Sequence, residues 1–359
     1  MIAPETYFPS DYREGRHSFI DACEAADLGV TSRLHPDETG ADGKPLFLDT
    51  TIIGERNAPT ALLLMSGTHG VEGYFGSGVQ HGLLREGLAK RVPKGAKIVL
   101  LHAVNPFGFS WDRRVNEDNA DVNRNFIDFA SPPHNPAYDN LVDCITLKDL
   151  TPQTMKAANA KLREYSNAHG DFKLQEAVTT GQYKHPHGIY FGGQRESWSQ
   201  AMLKDVFREE LALVEKLVVI DFHTGLGDHG AAEMITEDLP GSPAYKRAQA
   251  MWNHVHSSEG GESVSPPLLG TIDQAVAKWM KGKELTFAAL EVGTRPVRDV
   301  FAALRRDNWL HLNARPNDPL WPKVKREIRD AFYPDTPEWK RMVWGHAMEA
   351  VDGALCAIA

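Results

Sequence analysis

His69 and Glu72, three positions apart in the stretch SGTHGVEG, stand just past a run of four apolar residues, Leu62 to Met65. Imidazole nitrogen and carboxylate oxygen are ready ligands for zinc, and an open catalytic site commonly combines three protein ligands with a water. Two ligands on one turn cost little ordering; a third must come from a distant part of the chain. His223, in VVIDFHTG, is the choice, because it too follows an apolar run and precedes Thr-Gly. The chain holds 15 histidines, and a histidine after a strand is often only a cap or a core residue. His102, His185, His187, His229, His254 and His256 carry no context that lifts them above that reading, although His229 is the nearest substitute for His223.

Glu291 interrupts the apolar run of FAALEVGTRP. It reads either as half of a buried ion pair, with Arg295 or Arg298 as partner, or as a general base tuned by partial burial beside a metal. A carboxylate near a metal-bound water can take its proton and pass it to a leaving group. The stretch NPFGFSWDRRVNEDNADVNRNF (105 to 126) is dense in fixed donors. Arg113, Arg114 and Arg124 offer guanidinium forks to a carboxylate or an oxyanion, and Asn123 offers an amide hydrogen. A solvated loop with asparagine turns is the plainer account of the same residues.

The elements that must position these groups are readable from hydrophobic pattern. KPLFLDTTIIG (44 to 54) and TALLLM (60 to 65) predict successive strands, with a turn at Asn57 to Pro59. EGYFGSGVQHGLLREGL predicts a helix, and AKIVLLHAV (96 to 104) a buried strand stopped by NPFG. KLVVIDFHTGLGDHG (216 to 230) and ELTFAALEVGTRP (284 to 296) each predict a strand followed by a loop, and the tail from Pro322 reads as helical. Between them, roughly 131 to 187 is polar, with Thr151 placed to cap a helix at Pro152; it predicts a helical insertion over the body. Strands alternating with helices predict a three-layer α/β/α sandwich with a mixed, largely parallel central sheet. In such sheets ligands bind beyond the carboxyl ends of the strands, where three of these motifs fall.

Composition narrows the setting. The 359 residues have 42% hydrophobic and 24% charged content and a net charge of −9, which is ordinary globular usage without the basic footprint of a nucleic-acid binder. MIAPETYFPSDYREGRHSF has no basic start followed by an apolar stretch, and no segment reaches the length of a membrane span. Three scattered cysteines, Cys23, Cys144 and Cys356, fit neither a disulfide framework nor a zinc motif, so a cytoplasmic setting is expected.

GTHGVEG, DVNRNF, DFHTG and LEVGT occur in the order that resembles the zinc carboxypeptidases of the carboxypeptidase A type. Succinylglutamate desuccinylases and aspartoacylases share that zinc framework. The resemblance extends over roughly 45 to 312, and GIYFGGQRESWS and GTRPVRDVFAALRRDNWLH resemble a bacterial branch of this superfamily. It implies one zinc ion on His69, Glu72 and His223, with Glu291 as general base. It also implies that Asn123 and Arg124 hold a substrate carboxylate, that Arg114 steadies the oxyanion with Arg113 as its neighbouring alternative, and that Asp121 orients a histidine ligand. Such enzymes also use a tyrosine after the last histidine ligand. Tyr245 is on the right side in sequence but in an unconvincing context, and Tyr190 precedes His223, so that order argues against it and lining the pocket is its alternative role.

The expectation is therefore a single zinc-hydrolase domain over 1 to 359 that cleaves an amide next to a free carboxylate in a small peptide. An N-acyl amino acid amidohydrolase is the alternative, and a metal-free binding protein on the same fold is the third reading. Neither nucleic acid nor membrane is expected as a partner.

Overall fold

The computed structural model describes residues 3–359. Eight strands form one sheet: β1 (Val30–Thr39), β2 (Pro45–Gly54), β3 (Thr60–Met65), β4 (Ala96–His102), β5 (Lys216–Thr224), β6 (Ala232–Thr236), β7 (Val255–Ser257) and β8 (Glu284–Val292). Their spatial order is β1-β2-β4-β3-β5-β8-β6-β7. The centre, β4-β3-β5-β8, is parallel; β2 joins it antiparallel on one side and β6 on the other. The sheet is thus mixed and largely parallel at its core, as the alternation of elements leads one to expect.

Side chains alternate across this sheet, and the alternation builds the layers. Leu62, Leu64, Ile98, Leu100, Val218, Ile220 and Phe222 enter one core, against helices Tyr12–Ala25, Gly73–Arg85 and Pro337–Ile358. Leu63, Met65, Val99, Leu101, Leu217 and Val219 enter the other, against helices Trp198–Glu210 and Ile272–Trp279. Burial on both faces explains why the central strands read as continuous apolar runs. A third cluster lies under helices Pro136–Ile145, Pro152–His169 and Asp171–Thr179, where Tyr138, Leu141, Leu162, Ile328 and Phe332 meet. Thr151 caps the second of these helices, its side chain accepting from the Thr154 amide at 3.3 Å. Among the described residues no helix is long and apolar enough to cross a membrane.

Two strand ends matter most. β3 leaves the sheet through Gly67, whose φ of +68° lies in the left-handed region that favours glycine. The chain then makes one short turn, Gly70–Glu72, before helix Gly73–Arg85. Gly70 is pressed against another backbone: a Cβ there would stand 2.0 Å from the Gly108 carbonyl carbon. The second end is that of β5, whose parallel register on β8 pairs His223 with Glu291.

Because neither backbone at the Gly70–Gly108 contact can rotate away, Gly70→Ala should cost about 1–3 kcal/mol or more through overpacking. Denaturant unfolding measures this, and a wild-type midpoint would show that the contact yields.

Candidate metal centre and its cavity

The short turn after β3 brings His69 and Glu72 together, with His69 Nδ1 at 2.9 Å from Glu72 Oε1. The end of β5 supplies His223, whose Nδ1 lies 3.0 Å from Glu72 Oε2 and 3.2 Å from His69 Nδ1. All three side chains are buried, and their ligand atoms lie within 4.8 Å of one another, a group able to hold a metal ion. Each imidazole has an acid behind it. His223 Nε2 is 2.8 Å from Asp221 Oδ2, and His69 Nε2 is 3.2 Å from Asp121 Oδ1. Thr68 Oγ1 donates to Asp221 and the Asn123 amide donates to Asp121, so both acids are themselves fixed.

That arrangement tests the donor set. His69 Nε2 also faces Arg114 Nη2 at 2.8 Å and cannot serve both neighbours. Accepting from Arg114 puts the ring proton on Nδ1, toward Glu72; donating to Asp121 leaves Nδ1 as a lone pair. In the second tautomer, with His223 turned the same way by Asp221, two nitrogen lone pairs and a carboxylate meet at one point. Three acceptors without a proton between them repel, and a dication relieves this. The residues fit such an ion. Glu72 also accepts from the Thr224 amide at 3.0 Å and from Arg114 Nη1 at 3.1 Å. Burial works to raise its pKa, but His69 and His223 outweigh burial and hold the carboxyl below its usual range. Burial works the other way on His223, where the Asp221 charge prevails and raises the imidazole well above its ordinary value.

Glu291 stands beside His223 through strand register and accepts from the Leu226 amide at 2.9 Å. Burial first, and the neighbouring Glu72 charge second, push its carboxyl up to about 8. Neither Arg295 nor Arg298 pairs with it; Arg298 lies against Asp299.

A cavity of about 110 Å³ opens over these groups, lined among others by His69, His223, Glu291, Arg114, Arg124 and Asn123. Asn123 Oδ1 accepts from the Ile272 amide at 2.8 Å, so its orientation is set. Arg124 donates through Nε and Nη2 to the Thr179 carbonyl, at 3.0 and 2.7 Å, and through Nη1 to the Asn123 carbonyl. Arg114 is held by Asp121, with Nε at 3.0 Å from Oδ2.

Arg113 departs from the sequence expectation. It points the opposite way from Arg114, buried against Asp307 (Nε to Oδ2, 3.2 Å) and Asn119 (Nη2 to Oδ1, 2.7 Å), and it does not line the cavity. His229 bonds the Thr294 carbonyl at 2.8 Å and lies outside the cluster. Tyr245 bonds Glu262 and is likewise absent from the cavity wall, whereas Tyr190 belongs to it. Sequence reasoning missed Asp221, although an acid two residues before a histidine on an apolar strand is the signal that finds it. It also missed Glu237 and Asp273, which line the cavity and carry no local pattern.

Among solved structures the chain is similar to a candidate carboxypeptidase A from Shewanella denitrificans OS-217. The two are 12% identical with a TM-score of 0.50, over 98% of this chain and 70% of that one. It is also similar to carboxypeptidase A from Helicoverpa armigera (11% identity, TM-score 0.45, 89% of this chain and 73% of that one). A third is a succinylglutamate desuccinylase from Silicibacter sp. TM1040 (15% identity, TM-score 0.40, 79% and 66%). At 12% identity the likeness to the first of these is one of fold alone, the carboxypeptidase-like fold. No curated protein sequence matches the chain. A family model described as "Protein of unknown function (DUF2817)" matches residues 8–346, nearly the whole length, and the chain belongs to that family.

Proposed function

We propose that this chain is a zinc-dependent hydrolase, one catalytic domain over 1–359, that cuts an amide bond next to a free carboxylate as a carboxypeptidase does. One observation carries the reading: a three-ligand donor set, a buried acid and two cavity-facing arginines meet at the ends of parallel strands. His69, Glu72 and His223 hold the ion, and zinc suits a set of imidazole nitrogens and carboxylate oxygen. When bound, it lowers the pKa of a coordinated water to about 7 and polarises a carbonyl. Glu291 accepts a proton at its carboxylate and hands it to the departing amine. Asn123 and Arg124 hold the substrate carboxylate, Arg114 steadies the developing oxyanion, and Asp121 and Asp221 keep the imidazoles in the ligating tautomer.

An N-acyl amino acid serves the same machinery, since it too presents an amide and a carboxylate. Two further acids of the cavity weigh between substrates. Glu237 and Asp273 form no ion pair among the described residues, and burial first raises the pKa of each. With a proton held between them the pair still carries one negative charge, which repels a second substrate carboxylate and suits a neutral or basic side chain. This favours a peptide-like substrate over an N-acyl aspartate or glutamate.

Metal analysis of the purified protein should give one zinc per chain, and Asp221→Ala should weaken zinc binding by about 10–100-fold. Absence of a stoichiometric metal would favour a binding protein that has lost turnover. Glu291→Gln should keep the metal while lowering kcat by about 10²–10⁴-fold; near-wild-type turnover would remove Glu291 from the mechanism. Since Glu291 must be ionised to act, wild-type kcat/KM should fall as pH drops through its pKa. That pKa lies below 8 in the zinc-loaded protein because the cation favours the carboxylate. Release of free amine from a zinc-supplemented panel of peptides and N-acyl amino acids tests the substrate. C-terminal neutral or basic residues should be preferred, and faster release from N-acyl aspartate or glutamate would support the second reading.

A further inference from the structure

Three parts of the site are bonded to one helix, Trp321–Phe332, which gives the cavity wall nothing but Phe332. Thr224, next after His223 on β5, donates its hydroxyl to the Phe332 carbonyl at 2.6 Å. Thr294, three positions after Glu291, donates to the neighbouring Ala331 carbonyl at 2.6 Å. Farther back on the same helix, Lys325 Nζ donates to the carbonyls of Trp111 and Asp112, just ahead of Arg114, at 2.6 and 3.1 Å. The last carbonyls of a helix have no partner within it, and buried ones need donors from elsewhere. Here the donors are two buried threonines, 108 and 37 positions earlier in the chain, and each belongs to a strand end that bears a site residue.

The two hydroxyls act at different points. The Thr224 amide donates to Glu72 Oε2 at 3.0 Å while its side chain grips the helix end, so this residue links two members of the donor set to a rigid support. The β5–β8 ladder stops at Thr224 and Val292, and Thr294 lies beyond it. The Thr294 carbonyl accepts from His229 Nδ1 at 2.8 Å, and the Gly293 carbonyl from the Gly230 amide at 2.9 Å. These bonds join the chain past β8 to the loop 225–230, whose Leu226 amide orients the Glu291 carboxylate. The contact is close: a Cβ at Gly293 would stand 1.9 Å from the Asp228 carbonyl oxygen. Adjacent carbonyls of a helix keep a fixed spacing, so Ala331 and Phe332 hold the two strand ends in register after the ladder has ended.

We infer that Thr224 and Thr294 are positioning residues: anchored on adjacent carbonyls of one helix, Thr224 keeps His223 and Glu72 in ligating geometry and Thr294 keeps Glu291 aimed at the centre they form. The Thr294 half rests on the hydrolase reading; the Thr224 half rests on the metal alone. Thr224→Val and Thr294→Val keep the branched shape and remove the donor, and the two serine variants restore it. Zinc affinity is read by competition with a chromophoric chelator. Turnover is read at saturating zinc on the fastest-cleaved member of the panel of peptides and N-acyl amino acids. Thr224→Val should raise the zinc Kd about 10–100-fold. Thr294→Val should leave that Kd unchanged and lower kcat about 10–100-fold at constant KM. Each serine variant should recover most of the loss. A valine variant that does not fold is replaced by alanine, which leaves room for a water on the bared carbonyl. A role confined to stability would lower both unfolding midpoints without this division of effects, and that result would overturn the assignment. So would equal losses of zinc and turnover in both variants, or serine variants no better than valine. Absence of turnover by the wild type on every panel member would fail the hydrolase reading and the Thr294 half with it, while zinc binding would still decide the Thr224 half.

Discussion

The parallel register of β5 on β8 is the constraint on which the site depends. It sets His223 and Glu291 side by side at the carboxyl ends of two buried strands, on the same face of the sheet. Pleating sends Phe222 to the opposite face, where it packs on Phe75 with ring centroids 5.5 Å apart. A slip of one residue would drive an imidazole into that apolar core and lift a phenyl ring to the cavity, so core packing and site geometry are a single choice. The loop beyond Glu291 is pinned as well: Trp339, fully buried, donates its indole hydrogen to the Gly293 carbonyl at 3.0 Å. A helix near the end of the chain thereby steadies the strand end that bears the acid.

Buried charge is the second ordering influence. Arg113 and Lys325 share Asp307, with Lys325 Nζ at 2.6 Å from Oδ1. Such interior networks are not reliably stabilising in themselves, because desolvation opposes the Coulomb gain. Their effect here is positional. The Arg113 carbonyl accepts from the Val71 amide at 2.8 Å and the Arg114 carbonyl from the Gly70 amide at 3.2 Å. An arginine that never meets the cavity therefore holds the loop that carries Arg114 against the turn that carries His69 and Glu72.

Much of this was legible in the sequence, for reasons that also explain the gaps. β3, β4, β5 and β8 are covered on both faces and announce themselves as apolar runs. β1, β6 and β7 lie toward the sheet margins, and their mixed exposure leaves no clear alternation, as in the segment VTSRLHPDET of β1. The His69–Glu72 pair is legible because one turn makes it. The opposed directions of Arg113 and Arg114 are not, since what separates them is Asp307, nearly two hundred positions away and on another helix. Glu237 and Asp273 reach the cavity only through the tertiary path of β6 and helix Ile272–Trp279, which no local spacing records.

The grip of the Thr179 carbonyl on Arg124 has a consequence for the helical stretch that ends there. Two guanidinium nitrogens are spent on a single peptide oxygen, so the fork's remaining hydrogens leave along fixed directions. Helix Asp171–Thr179 thus acts as a jig for the arginine rather than a cover over it. A chain with this segment shortened would keep every charge yet let the side chain swing, and an incoming anion would then bear the entropy of stilling it.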